Sequence, residues 1–220
     1  MAERKNNETS RDTVPDAVVS RLSLYLRELQ HLIANDCETT SSTQLGRLLG
    51  FTDAQVRKDL AYFGQFGYPG IGYRCSELVG AIRKILGTDR SWPIGIIGVG
   101  NLGRALLGYR GFDQQGFEIA AAFDTVDDKV GQEFEGIRVY HISDLEKIVE
   151  KMSIKLGIIA VPGPAAQDVA NLLVDAGVEG VLNFAPVTIS LPDSVQLVGV
   201  DLAIQLEQLS FAVVNRATNS

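Results

Sequence analysis

Three glycines in the second half of the chain constrain the fold more than any other feature of the sequence. In the segment PIGIIGVGNLGRAL they occupy positions 98, 100 and 103, which is the G-x-G-x-x-G spacing. They follow the apolar run 94–99 and open a helical pattern, and Asp124 ends the next apolar run, 21 residues after Gly103. Strand, glycine turn, helix, strand and acid in this order predict a βαβ unit of a parallel sheet.

The rest of this half alternates short apolar runs with helical patterns. Near-continuous apolar strands between helices are typical of a parallel sheet covered on both faces, so we expect an α/β, doubly wound fold. Further strands are predicted at 117–123, 156–161, 181–184 and 195–200, and helices at 101–108, 144–151 (capped by Ser143 with Glu146) and 165–176. We therefore expect a Rossmann domain at 89–200, a C-terminal helix at 201–216 and a tail at 217–220.

The glycine turn is typical of a dinucleotide-binding site. Gly98 permits the tight turn, Gly100 lets the backbone approach a pyrophosphate, and Gly103 lets helix and strand pack closely. Asp124 would accept hydrogen bonds from the adenosine ribose, and no Arg lies between Asp124 and Arg138 to bind a 2′-phosphate. We therefore expect NADH or NAD+ as the ligand, with its phosphates on the backbone N–H groups of the turn and the helix start: Gly98, Val99, Gly100, Asn101, Leu102 and Gly103.

Few residues of the sequence could act as catalytic groups beside such a cofactor. His31 and His141 are the two histidines, and neither follows the pattern of a general acid or base. Tyr109 and Lys129 do not form a Tyr-x-x-x-Lys pair, and the remaining strands and helices use nearly all of the 96 residues after Asp124. No room remains for a substrate domain, so we expect a sensor that binds the dinucleotide without reacting it.

The first part of the chain has a different charge balance. Residues 1–90 carry a net charge of +1 and residues 91–220 a net charge of −8, which suggests two domains with different partners. After a polar tail at 1–14, helical patterns and two capping boxes (Ser41 with Gln44, Thr52 with Gln55) precede the glycine-rich stretch 65–74. We expect a winged helix-turn-helix domain at 15–88.

In such a domain the second helix of the pair, TDAQVRKDL, would lie in the major groove of DNA. Arg reads guanine and Gln reads adenine there, and the first short helix and the hairpin contact the backbone or an adjacent minor groove. An ordinary helical accessory domain is the alternative, because the basic excess is modest. The predicted DNA-binding residues are Thr43, Gln44, Gln55, Arg57, Lys58, Tyr73 and Arg74.

Composition excludes other classes. No apolar run reaches the ~18 residues of a membrane span, and the first twenty residues are too polar for a secretory signal. Cys37 and Cys75 are the two cysteines, which excludes a disulfide scaffold or a Cys-rich zinc site. We expect a cytoplasmic protein without a metal.

Taken together, several stretches resemble the Rex family of redox-sensing transcriptional repressors. The resemblance covers nearly the whole chain after residue 14, and the string QVRKDLAYFG beside a Rossmann fingerprint is its most specific part. It implies a homodimer that binds palindromic operator DNA, exchanges its C-terminal helix with the partner and is released by NADH. The stretches are SRLSLYLREL (20–29), SSTQLGRLLGFTDAQVRKDLAYFGQFGYPGIGY (41–73), GVGNLGRAL (98–106), LNFAPV (182–187) and GVDLAIQLEQLSFAVVN (199–215).

The resemblance also implies residue roles. Arg21 matches the basic member of a polar switch, Asp201 its acidic member and Tyr109 a tyrosine that exchanges partners when the cofactor binds. The nicotinamide pocket would be walled by Val161, Pro162, Asn183 and Phe211, the last from the partner. Some relatives carry an aromatic residue immediately after the acid, where this chain has Leu202.

Two alternatives remain at this point. A small NAD-dependent oxidoreductase with a helical accessory domain would turn over a carbonyl or alcohol. A nucleotide sensor could read total dinucleotide and not its redox state.

Overall fold

A computed structural model of the chain describes residues 14–218. The predicted tail at 1–14 lies outside this range except for its last residue, and so does the end of the predicted tail at 217–220. The chain forms two compact units that divide between Arg90 and Ser91, two residues beyond the predicted boundary. Over residues 14–218, no helix is both long and apolar enough to cross a membrane.

The N-terminal unit is a small helical domain with a two-stranded sheet. The first helix packs on the last, and the two short helices lie against them around a core that includes Leu22, Tyr25 and Leu45, all fully buried. Its elements are α1 Asp16–Ala34, β1 Thr39–Thr40, α2 Ser42–Leu49, α3 Asp53–Ala61, β2 Tyr73–Arg74 and α4 Cys75–Leu86.

Helices α2 and α3 form the predicted helix-turn-helix, and their starts follow the predicted caps in part. Ser41 Oγ accepts a hydrogen bond from the Gln44 N–H at 3.1 Å. Thr52 Oγ1 accepts one from the Gln55 N–H at 3.1 Å. Gly50 ends α2 at φ +75°, in the left-handed region that favours glycine. The Gln55 side chain does not complete its capping box, because it bonds to Asp59 instead.

The glycine-rich stretch forms a small wing. Strand β2 pairs antiparallel with β1, with Thr39 opposite Arg74 and Thr40 opposite Tyr73. Before β2, Tyr68 and Gly72 pair across a tight turn, with N···O distances of 2.7 and 3.0 Å. The winged helix-turn-helix that the sequence predicts is therefore confirmed.

The C-terminal unit is built on a seven-stranded sheet. Its strand order is β5-β6-β4-β3-β7-β8-β9, and every pair is parallel except the edge pair β5-β6. Apart from β5 this is the order of a Rossmann fold, so the predicted α/β class is confirmed. The strands are β3 Trp92–Ile97, β4 Phe117–Asp124, β5 Glu133–Phe134, β6 Ile137–His141, β7 Leu156–Ile159, β8 Gly180–Asn183 and β9 Gln196–Gly199.

Helices pack on this sheet around two buried clusters, one including Phe123 and Leu173 and the other including Ile96 and Ile158. The expected cap of the helix at 144–151 is wrong. The N-cap of the helix is Asp144, which makes no side-chain capping bond. A 3₁₀ turn at Ile142–Asp144 leads into the helix, and there His141 Nδ1 accepts a bond from the Ser143 N–H at 3.2 Å. The helices are α5 Asn101–Leu107, α6 Gly111–Gln114, α7 Leu145–Met152, α8 Gly163–Asp175 and α9 Leu202–Thr218, the last extending two residues beyond the predicted end.

Candidate functional site

Backbone geometry explains two of the three glycines. Gly98 has φ +97°, and a Cβ there would lie 2.7 Å from the Ala160 carbonyl oxygen. A Cβ on Gly103 would overlap the Gly98 carbonyl oxygen, so helix α5 could not pack against the end of β3. Both glycines are required for the turn to form, whether or not a ligand is bound.

Gly100 is different, because the fold does not require it. Apart from its two chain neighbours and the backbone of α5, no described atom lies within 4 Å of the position that its Cβ would take, and its φ of −82° suits any residue. It is the N-cap of α5, and no side chain in the described part of the chain caps that helix start. Asn101 and Leu102 are exposed beside it, while Val99 is buried. The surface above Gly100 is open to a ligand.

Asp124 lies at the carboxyl end of β4 beside this turn and is 8% exposed. Its Oδ2 accepts hydrogen bonds from the Val99 N–H and from Lys129 Nζ, each at 2.8 Å, and its Oδ1 accepts one from the Val126 N–H at 3.0 Å. Burial acts to raise the pKa of Asp124, but the bonds from these donors hold that pKa below its usual range. The carboxylate is therefore charged and firmly positioned.

The proposed nicotinamide-pocket residues lie on neighbouring strand ends. Val161 packs against the glycine turn, with Cγ1 2.8 Å from the position of a Gly98 Cβ, and Pro162 is exposed at the start of α8. Asn183 is buried, and its amide bonds only to its own turn: Nδ2 to the oxygens of Ala185 (3.2 Å) and Val187 (3.0 Å), Oδ1 from the Ala185 N–H. These bonds hold the turn, and Asn183 also lines the cavity beside it.

A cavity of about 510 Å³ lies beside this turn, between the end of β8 and the start of α9. Asp201 is at its edge and accepts a hydrogen bond from the Ala203 N–H at 2.8 Å, so it caps α9. Phe211 lies farther along α9 and is 72% exposed. The turn that follows Asn183, the end of β9 and the start of α9 thus enclose the cavity, whereas Phe211 does not line it.

Helix α9 carries an uncovered apolar surface. Every residue from 202 to 216 is exposed. The apolar members, with exposures of 48–72%, are Leu202, Ile204, Leu206, Leu209, Phe211, Val213 and Val214. Monomeric proteins seldom leave a contiguous apolar surface of this extent in water.

In the N-terminal unit, a buried carboxylate anchors the second helix of the pair. Asp59 on α3 has zero exposure and accepts bonds from Arg21 Nε (2.6 Å) and Nη2 (2.8 Å), Tyr25 Oη (2.7 Å) and Gln55 Nε2 (2.7 Å). Burial acts to raise its pKa, but the bonds from Arg21, Tyr25 and Gln55 outweigh it and keep the pKa below the usual range. The same contact raises the pKa of Arg21. These four side chains are the Asp59 network.

Two residues with predicted functional roles belong to the Asp59 network. The switch with Asp201 that the resemblance implies for Arg21 stays a prediction, and within the described chain Arg21 binds Asp59. The reason is that a fully buried carboxylate needs a cation, and Arg21 projects from α1 towards α3. Gln55, expected to read adenine, donates its amide to Asp59 as well. Tyr109, which the resemblance predicts to be the third switch residue, is 55% exposed and packs edge-on against Phe112 at 5.0 Å.

The remaining predicted DNA-binding residues divide by exposure. Thr43 and Lys58 are exposed on their helices, and Gln44 is half-buried. Arg57 is exposed but binds Asp53 Oδ2 at 2.8 Å and Ser42 Oγ at 3.2 Å. These contacts hold the guanidinium between the start of α3 and the start of α2.

The wing residues are also held by neighbours. Tyr73 is half-buried and packs against the helical core, and this burial raises its pKa. Its contact with DNA stays a prediction. Arg74 binds Glu77 at 3.1 Å and lies 5.1 Å from the centre of the Tyr68 ring. Exposed apolar surface at the wing tip comes from Tyr68 and Ile71 instead.

Sequence reasoning missed Asp59, Tyr25 and Lys129. The i,i+4 spacing of Gln55 and Asp59 and the position of Lys129 five residues after Asp124 were the available signals. Among the residues the structure describes, no three His, Cys, Asp or Glu side chains cluster as a metal site would require.

Each of the two units matches the model of a known protein family. A family model described as "CoA binding domain" matches residues 89–187, and one described as "Putative DNA-binding protein N-terminus" matches residues 13–61. The chain is 36% identical to RSP in a crystal structure with beta-NAD+ and operator DNA, at a TM-score of 0.88 over 93% of this chain and 94% of that one. It is 34% identical to RSP in a structure with beta-NADH, at a TM-score of 0.84 over 94% of this chain and 97% of that one.

Two curated relatives match this chain over almost their full length, as the two solved structures do. The redox-sensing transcriptional repressor Rex of Carboxydothermus hydrogenoformans is 46% identical over 91% of this chain and 96% of its own. That of Syntrophomonas wolfei is 46% identical over 90% of this chain and 94% of its own. With both units matched in one continuous chain, the protein belongs to the Rex family of redox-sensing transcriptional repressors.

Proposed function

We propose that this chain represses transcription by binding operator DNA through its N-terminal unit, and that NADH bound at its C-terminal unit releases it. One observation carries the proposal: a helix-turn-helix and an open dinucleotide turn occur in one chain, over which the NAD+ and operator complex of RSP matches at a TM-score of 0.88. The protein is a repressor and not an enzyme, which removes the oxidoreductase alternative.

The C-terminal site suits NADH or NAD+. The surface over Gly100 is open, and the uncapped start of α5 leaves backbone N–H groups for the pyrophosphate. Asp124 is charged and lies beside the turn, where a ribose hydroxyl would donate to it. When bound, the nicotinamide supplies the signal by its redox state, since oxidised and reduced rings differ by one positive charge. An apolar pocket favours the neutral ring, because burying a charge is costly.

The N-terminal site presents α3 to the major groove. Lys58 and Arg57 supply the positive charge of its exposed face, and Thr43 lies on the preceding helix. The Asp59 network fixes the angle of α3 on α1. Few cations are available per unit, so we expect weak non-specific binding at physiological salt.

A second copy of the chain would cover α9. Its seven apolar side chains are exposed, and packing α9 against a second subunit would remove them from water. The resulting homodimer would present two α3 helices to two half-sites. NADH would then change their spacing, and it can do so only if it binds the DNA-free state more tightly. A bacterial cytoplasm is the compartment in which such a repressor would meet DNA and NADH.

A binding titration tests the proposal. A duplex is first selected from a random-sequence pool by the protein itself, and its complex is then titrated with NADH, NAD+ and NADPH. We expect NADH to release the duplex at far lower concentration than NAD+. Equal release by NADH and NAD+ would favour a sensor of total dinucleotide, and no release by any would contradict the proposal.

A further inference from the structure

A lysine lies at the place where the bound dinucleotide's adenosine ribose is expected. Lys129 Nζ is 2.8 Å from Asp124 Oδ2, and its side chain is only 23% exposed. The segment that carries it is ordered by backbone bonds, with the Lys129 N–H donating to the Val126 oxygen at 3.0 Å. The ammonium is therefore held in position and does not swing freely in solvent.

The ion pair with Lys129 changes both the charge and the number of free hydrogen-bond positions that Asp124 presents to a ligand. Each carboxylate oxygen accepts about two hydrogen bonds. Oδ2 already receives two, from Val99 and Lys129, while Oδ1 receives one, from Val126. One position remains for a ribose hydroxyl, and the net charge of the Asp124–Lys129 pair is zero. An unpaired carboxylate would repel a 2′-phosphate, but this pair does so much less.

A second cation, Arg104, contacts the same backbone residue as Asp124 does. Arg104 Nε is 3.4 Å from the Val99 carbonyl oxygen, and its guanidinium lies 5.0 Å from the centre of the Phe134 ring. The N–H of the same Val99 binds Asp124. The negative charges on this loop, Asp127 and Asp128, are exposed to water and screened.

We propose that Lys129 is a specificity-determining residue for the dinucleotide: it neutralises Asp124 and donates to a 2′-phosphate, so that it limits how strongly NADH is preferred over NADPH. The proposal rests on the dinucleotide site proposed above. With Asp124 alone, the preference for NADH over NADPH would be larger, and Lys129 reduces it.

The test is the ratio of NADPH to NADH dissociation constants, measured by fluorescence of the reduced nicotinamide with the full chain. Lys129→Ala should raise the NADPH constant about 10-fold, the loss of one charge-assisted hydrogen bond, and the NADH constant by less than about 3-fold. Lys129→Arg, which keeps the charge, should leave the ratio within about 3-fold of the wild type. Asp124→Asn should move the ratio the other way, towards NADPH.

Lys155→Ala is the matched control, because Lys155 forms an exposed ion pair with Glu179 in the same unit. It should leave the ratio unchanged. If Lys129→Ala weakened both dinucleotides equally, Lys129 would have only a structural role and the proposal would be overturned. Failure of the wild type to bind NADH would instead overturn the proposed function, and this assignment with it.

Discussion

Replacing Asp59 by Asn probes the Asp59 network directly. The substitution removes a fully buried charge and leaves the Arg21 guanidinium without its counterion, while one amide cannot accept bonds from all four donors. Removing one partner of a buried pair costs ~3–5 kcal/mol, and because Arg21 keeps 21% exposure to water we expect a loss of about 3 kcal/mol in the free energy of unfolding.

Urea unfolding of the full chain measures this loss unit by unit. The chain has one tryptophan, Trp92, which lies on β3 of the C-terminal unit, whereas circular dichroism at 222 nm reports helices of both units. Asp59→Asn should lower the midpoint of the helical transition of the N-terminal unit and leave the Trp92 fluorescence transition in place. Asp53→Asn is the control, because Asp53 forms an exposed pair with Arg57 on the same helix. A loss no larger than that of Asp53→Asn would refute the reasoning.

The pH dependence has a defined sign. Because the pKa of Asp59 in the folded chain lies below its usual value, its contribution is fully present above the unfolded pKa of about 3.9. That contribution is lost as the pH falls through the folded pKa. The difference in stability between wild type and Asp59→Asn should therefore be constant near neutral pH and shrink below about pH 4. A difference that grew on acidification would contradict the charged state of Asp59.

Two further substitutions test the site and the interface. Gly100→Ala should abolish NADH binding by filling the space over the turn, yet leave the thermal midpoint nearly unchanged, because the new Cβ meets no described side chain. Gly103→Ala should instead lower the thermal midpoint of the chain, because its Cβ would overlap the Gly98 carbonyl oxygen. Comparable losses of stability in both variants would contradict this view. Leu209→Glu on the exposed stripe of α9 should convert a dimer to a monomer in light scattering, and an unchanged mass would exclude α9 as the dimer contact.

Local patterns predicted much of this structure because their physics is local. The glycine spacing, the apolar runs and the Ser41 and Thr52 caps each depend on residues within one turn or one strand, and all formed as elements of the expected type. The exception is Ser143, which does not cap α7: a 3₁₀ turn comes first, in which His141 Nδ1 accepts a bond from the Ser143 N–H, and α7 begins at Leu145 with Asp144 as its N-cap. Capping preference alone does not predict which of two adjacent capping residues, Ser143 or Asp144, precedes the helix.

Contacts distant in sequence were not predictable in this way. Asp59 follows Arg57 and Lys58 and looks like part of a charged surface, but its cation, Arg21, is 38 positions earlier on another helix. Only the packing of α1 on α3 brings them together, and the same carboxylate accepts the bond from the Gln55 amide. The sequence shows Lys129 five residues after Asp124, but it does not show the backbone bonds of the turn that bring the two side chains into contact.

The coupling of the two units is tested most directly by the affinity for NADH with and without DNA. The dissociation constant of NADH is measured by its fluorescence for the free chain and for the chain saturated with its selected duplex. Linkage requires that a ligand which releases DNA bind more weakly in the presence of that DNA, by the same factor by which it weakens DNA binding. The account predicts equal factors in the two directions; an NADH affinity unchanged by saturating duplex would contradict it.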